Sequence, residues 1–268
     1  MKKTFSILLA LVVLLSAASA LAEGTLLVGM ECGYAPYNWT QVEPSEFSVP
    51  IEGGAGYADG YDVQIARAIA TALGKELVIA KIEWDGLIPA VDSGAIDAII
   101  AGMSPTEERK ATIDFTDAYY LVDMVAVVKK DGPFAAATSL ADLAGAAITA
   151  QLSTTHYDVI DQIAGVNKLT AMETFPAMIV ALTSGAIDGY IAERPGALAD
   201  TLANPDLTFV GFEDGNGFQV ALEDTQISIG LQKGSTLTPA INEALATLDQ
   251  ATRDQMMKDA ITRQPLAQ

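Results

Sequence analysis

The sequence predicts an α/β protein of two lobes, each a mainly parallel sheet flanked by helices, with a cleft between them. Three observations carry that expectation. Strand and helix patterns alternate through the first hundred residues, which argues for parallel strands joined by helical crossovers. The stretch LIPAVDSGAIDAII at 87–100 is echoed by MIVALTSGAIDGYI at 178–191, each a short helix stopping at Ser-Gly before a strand begins at Ile-Asp. Two further apolar runs, at 124–130 and 220–231, suit strands that cross between the halves. The expected division is a leader at 1–22, a first lobe from 23–126 and 226–268, and a second lobe at 127–225 inserted in it.

The leader is read from Lys2 and Lys3, an apolar run from Phe5 to Leu15 and the small residues of 16–22. This is the pattern of a secretory signal peptide, with cleavage after Ala20 or Ala22. The run is too short to span a bilayer. Residues 25–30 then form the first strand, followed by the aromatic turn ECGYAPYNW. Residues 40–58, with Pro44, Pro50, Gly53, Gly54 and Gly56 among acidic side chains, read as an exposed excursion. GYDVQIARAIATALG carries apolar residues at helical spacing and stops at Gly74. A strand at 77–82 and a helix in WDGLIPAVDSG lead to a short buried strand at 98–101. The last helix is expected from Thr238 to the chain end.

After that strand comes GMSPTEER. Gly102 breaks the strand, Ser104 or Thr106 can cap the next helix, Pro105 suits its first turn, and Glu107 and Glu108 complement its positive end. Free amides at the strand end, a hydroxyl and the Arg109 guanidinium together form a grip for one carboxylate. The alternative is a capped helix with a surface arginine.

Composition narrows the function classes. The formal charge of −19 becomes two units more negative once Lys2 and Lys3 leave, which argues against a nucleic-acid partner. Half of the residues are hydrophobic, enough to build two compact lobes. A single cysteine, Cys32, forms no internal disulfide and no metal site, so the core alone holds the fold. No cofactor is expected.

GYDVQIARAIATALG and EWDGLIPAVDSGAIDAIIAGMSPTEERKATIDFTDAYY resemble the polar amino-acid-binding proteins that serve ABC importers, bacterial solute-binding proteins of the type II periplasmic fold. The second lobe resembles them through AQLSTTHYD and SGAIDGYIAERP. The resemblance implies a monomeric extracytoplasmic receptor that closes on an amino acid and passes it to a membrane permease. It implies that Arg109, with Gly102 and Ser104, holds the ligand carboxylate, and that Ser153, Thr154 and Thr155 complete that site, although the family usually has glycine where Ser153 stands. It places the α-ammonium on Glu193, where the family usually has the shorter aspartate, and the covering aromatics at Tyr34 and Trp84. Glu31 aligns with an acid that faces the distal cation of basic ligands, which points to the arginine and lysine class; a solvated role for Glu31 and a glutamine-like ligand stay open. Asp62 is read as a cap of its helix or a ligand contact, Glu193 alternatively as an ion-pair partner of Arg194, and His156 as a surface or capping residue. An enzyme resembling cyclohexadienyl dehydratase, with Glu193 or Glu31 as its acid, is the competing class.

Overall fold

The structure is a computed structural model and describes residues 24–212 and 215–265. The leader expected at 1–22 lies outside the described residues. Two five-stranded sheets organise the rest. In the first, the spatial order is Glu76–Lys81, Thr25–Met30, Ala98–Ile99, Gly230–Leu231, Asp114–Phe115. In the second it is Asn167–Lys168, Ala147–Thr149, Gly189–Glu193, Met124–Lys129, Leu207–Val210. Each sheet has three parallel strands, a fourth running antiparallel to them and a fifth antiparallel to the fourth. The two lobes thus share one plan.

The sequence echo has a physical counterpart in both lobes. Helix Trp84–Asp92 and helix Phe175–Ser184 each end before a glycine with positive φ, Gly94 at 76° and Gly185 at 81°. Only glycine takes that left-handed conformation without a steric penalty. Three residues later an aspartate clasps the middle of the three parallel strands of its own lobe. Asp97 Oδ2 accepts from Leu27 N at 2.8 Å while its own amide donates to Leu27 O. Asp188 Oδ2 accepts from Ala147 N at 2.9 Å and its amide donates to Ala147 O. The preceding isoleucines, Ile96 and Ile187, are buried.

Several expectations need correction. The apolar strand Met124–Lys129 is no crossover. It is central in the second sheet, where antiparallel pairing to Gly189–Glu193 and Leu207–Val210 buries its first five residues. A lobe boundary at residue 126 would cut this strand. The chain passes between sheets just before it, in Tyr120–Leu121, which pairs with Gln226–Ile227 as a two-stranded ribbon. The run 220–231 is not continuous strand: it starts with a 3-10 turn, Leu222–Thr225, before Gln226–Ile227 and Gly230–Leu231. The excursion at 40–58 is not a loose loop but part of a four-stranded antiparallel sheet of Gly33–Tyr34, Asn38–Gln41, Tyr57–Asp59 and Val49–Pro50, with Val49, Ile51 and Ala58 in the core. The closing segment is two helices, Leu237–Ala246 and Gln250–Arg263, the second restarted by Asp249, whose carboxylate accepts from Thr252 N at 2.8 Å.

The paired aspartates give a stability test. Asp188→Ala removes the acceptor of Ala147 N–H, and Asp97→Ala that of Leu27 N–H, so each is expected to lower stability by about 1–2 kcal/mol in urea unfolding. Midpoints equal to wild type for both variants would show that the clasp carries no stability.

Candidate functional site

The carboxyl ends of the strands Ala98–Ile99 and Gly189–Glu193 lead into one cleft, and the capped helix Glu107–Thr112 opens on its first-lobe side. Thr106 is the cap, its side chain accepting from Arg109 N at 3.3 Å, and Glu107 and Glu108 fill the first turn. Pro105 precedes the cap instead of lying in that turn. Arg109 therefore sits at the third helical position, where its guanidinium curls back over the helix start. One nitrogen donates to Ser104 O at 2.9 Å and another crosses the cleft to Ser153 O at 3.1 Å. Its Cζ stands 5.0 Å from the Trp84 ring, and Trp84 Nε1 donates to the same Ser153 carbonyl at 3.4 Å. Burial lowers the Arg109 pKa to about 10, which leaves the guanidinium charged.

Ser153 takes a left-handed backbone, φ 57°. That conformation favours glycine, so the residue departs from the resemblance in side chain while keeping a backbone that glycine adopts freely. Its carbonyl is thereby turned toward Arg109 and Trp84. Thr154 hydroxyl donates to Gln151 O at 2.6 Å, and Thr155 begins the short helix Thr155–Asp158. At Gly102, φ is 63° and a β-carbon would lie 3.3 Å from the Tyr34 ring. Its amide is not free, because it donates to the Tyr119 hydroxyl at 3.3 Å. Of the first-lobe groups expected to hold a carboxylate, Arg109 and Ser104 remain, the Ser104 hydroxyl donating to Asp224 O at 3.2 Å.

Two acids face this cationic end. Glu193 closes the strand Gly189–Glu193 and precedes helix Arg194–Ala203. It does not pair with Arg194, which instead binds Asp123, with Nε 2.9 Å from Oδ1. Glu193 Oε2 accepts from the Tyr34 hydroxyl across the cleft, and Oε1 faces His156. Burial raises its pKa to about 8. Glu31, at 7% exposure, accepts from Gln151 Nε2 at 2.9 Å, again across the cleft. Burial pushes its pKa up to about 7, against the opposing Gln151 hydrogen bond. Cys32 beside it is buried, with its thiol pushed by burial to about 12, so it is chemically inert.

Tyr34, Trp84, Gly102, Ser104, Arg109, Thr154, Thr155 and Glu193, with Gln151 and His156, line one narrow pocket whose free interior of about 10 Å³ is room for little more than one water. Glu31 reaches it through Gln151, and Ser153 through its carbonyl. Three residues were not legible as site residues: Gln151, His156 and Phe175. Phe175 stacks on Tyr34 with ring centroids 4.0 Å apart and planes 14° apart. Thr174 caps helix Phe175–Ser184 from its hydroxyl, and the first ring of that helix meets the other lobe.

A model of the bacterial extracellular solute-binding proteins, family 3, matches residues 26–261. The chain belongs to that family. It is 29% identical to the L-cystine-binding protein TcyJ of Escherichia coli K12 over 228 residues, covering 84% of this chain and 78% of TcyJ. It is 29% identical to the arginine-binding extracellular protein ArtP of Bacillus subtilis, covering 71% and 72%. Among solved structures, the substrate-binding protein AbpA of Streptococcus pneumoniae, bound to L-arginine, superposes with a TM-score of 0.76 at 27% identity, covering 89% and 95%. All three are named as binding proteins, and the two-lobed fold of this family is the one described above. None of the three is named as an enzyme.

Both cleft acids are buried between the lobes and would be hydrated if the lobes parted. Their raised values belong to the closed, unliganded form, against an ordinary value of 4.5 in water. Below that value both forms are protonated and closure carries no penalty. As pH rises through 7 and 8 the closed form is progressively disfavoured, and the effect levels off above. Small-angle scattering of the stripped protein is expected to show a larger radius of gyration at about pH 9 than at about pH 5.5. A radius independent of pH would refute this.

Proposed function

We propose that this protein captures a polar L-amino acid in its cleft, with a basic amino acid of the arginine or lysine class as the preferred ligand, and delivers it to an ABC importer. The observation that supports this most is charge balance across the pocket. The pocket holds one guanidinium, Arg109, with the buried Glu193 in its lining and the buried Glu31 behind Gln151, and no lysine or arginine is bonded to either acid among the described residues. A zwitterion neutralises Arg109 and Glu193, its carboxylate taking the guanidinium, Ser104 and the 153–155 turn, and its ammonium taking Glu193. A second positive charge on the side chain is then needed for Glu31. Tyr34 and Trp84 supply the flat faces that cover an aliphatic stem or a guanidinium. Each charged end draws on both lobes, so occupancy favours the closed arrangement.

The relatives named for arginine and for cystine show that the family accommodates more than one ligand. One observation favours a neutral alternative. Glu31 is already satisfied by the neutral amide of Gln151, and a ligand amide could take that place, which would suit glutamine.

Thermal shift of the stripped mature protein against the common amino acids, ornithine and cystine separates these readings, because a molecule that binds only the folded state raises the melting point. Arginine, lysine or ornithine is expected to give the largest shift. Arg109→Ala is expected to weaken binding by about 100-fold or more while the fold persists, as when one partner of a buried charge pair is removed. Wild-type affinity in that variant would remove Arg109 from the site. Glu31→Gln should weaken L-arginine by about tenfold or more and L-glutamine by less than about threefold. Equal losses for the two would discard the basic class and leave the amino-acid site intact.

A further inference from the structure

The chain has one histidine, and it lies inside the cleft wall. His156 is 6% exposed on helix Thr155–Asp158, and neither ring nitrogen has a hydrogen-bond partner. Its Nε2 lies 3.1 Å from Glu193 Oε1, close but out of line for a hydrogen bond. Burying two ring nitrogens without partners costs free energy that an apolar side chain would avoid. The ring is therefore poorly explained as packing. It stands beside a carboxyl group whose own state depends on what occupies the cleft.

The two groups belong to the same lobe. Helix Thr155–Asp158 packs on the strand that ends in Glu193, so His156 and Glu193 stay together when the lobes separate. Tyr34, which donates to the other carboxyl oxygen, comes from the opposite lobe and leaves with it. An ammonium group entering beside Oε2 would take the place of the Tyr34 hydroxyl and draw Glu193 into its ionised form. An ionised carboxylate accepts on both oxygens, and the donor nearest Oε1 is the imidazole.

We infer that His156 is a positioning residue of the ammonium site: with an amino acid bound, its neutral imidazole donates from Nε2–H to Glu193 Oε1 and turns Oε2 toward the ligand. This rests on Glu193 as the ammonium acceptor. The charged groups facing the ring are Glu193, from the strand end of its own lobe, and Arg109, from the capped helix of the other. Burial, helped by the Arg109 charge, holds the imidazole pKa down at about 3. In the unliganded form the ring is therefore neutral, a donor and not a charge, and the carboxyl is the member of the pair that titrates near neutral pH.

The test uses calorimetry with L-arginine on the wild type, His156→Leu and His156→Gln, together with nitrogen-15 spectra of the single imidazole. Removing the donor should weaken binding by about tenfold or more, whereas the Gln amide, which can donate to the same oxygen, should stay within about threefold. Without its donor the ionised carboxyl is less stable, so affinity in His156→Leu should begin to fall at a higher pH than in wild type as the solution is made more acid. The arginine-bound wild type should show the Nε2–H tautomer. Equal weakening in both variants with an unchanged pH profile would reduce His156 to packing and overturn the proposal, as would an imidazole that titrates near 6.5. If wild-type protein takes up no amino acid at all, the functional reading fails, but the pair can still be judged. At about pH 9.5 Glu193 is ionised without ligand and the Nε2–H tautomer is again expected; an Nδ1–H tautomer there would overturn the proposal whatever the protein binds.

Discussion

Two carboxyl groups buried where the lobes meet, with no lysine or arginine bonded to either among the described residues, govern this molecule. A buried carboxylate must be protonated, hydrogen-bonded or matched by an opposite charge. In the closed form the protein uses the first two: burial raises Glu193 to about 8 and Glu31 to about 7, while the Tyr34 hydroxyl and the Gln151 amide reach them from opposite lobes. Both donors are neutral stand-ins for cations. Closure without ligand is therefore possible but electrostatically incomplete, and a cationic group inside the cleft completes it. The two-stranded ribbon of Tyr120–Leu121 and Gln226–Ile227 is the narrow link across which such a balance can act.

The fold delivers those groups by repeating one plan. In both lobes a helix ends at a positive-φ glycine, an aspartate clasps the middle parallel strand, and the last parallel strand ends at the cleft. From that strand end the first lobe runs into Gly102 and the capped helix of Arg109, while the second lobe runs into Glu193 and its helix. The same device thus presents a cation from one side and an acid from the other. A zwitterion spanning the two would meet each charge at a strand end, the usual place for ligands in open α/β sheets.

What could be read in the sequence were features whose cause is local. Helical periodicity from Tyr61 to Ala72, the Thr106 cap with its acidic first turn, and the Ser-Gly-Ala-Ile-Asp echo all depend on residues within one or two turns of each other. The strands of 33–59 did not show, because elements of two to four residues are too short to display an alternation and are formed by pairing across the excursion. Met124–Lys129 was visible as a strand, but its place in the second sheet is decided by its partners. Gln151, His156 and Phe175 carry no motif and enter the cleft wall only through the packing of the second lobe against the first. The left-handed backbone at Ser153 was likewise hidden, because serine in a turn does not announce positive φ.

Asp62 shows how an acid outside the pocket lining can still fix its dimensions. It is not the cap of its helix, which is Gly60. It is fully buried, and burial raises its pKa to about 6 against the pull of its hydrogen bonds. Oδ1 accepts from the Tyr119 hydroxyl at 2.7 Å, and that hydroxyl accepts the Gly102 amide. Oδ2 accepts from Asn38 Nδ2 at 2.9 Å, and Asn38 Oδ1 accepts the Cys32 amide at 2.8 Å. One carboxylate therefore ties the strand end beside Arg109 to the turn that carries Glu31 and Tyr34. Cys32 sits at φ 54°, a strained conformation for a side-chain-bearing residue that this amide bond helps to hold. The separation of Arg109 and Glu31 is thus set within the first lobe before any closure. A change of ligand class is then most readily made by the side chains at Glu31, Gln151 and Trp84, because moving either loop would leave Asp62 buried without its donors.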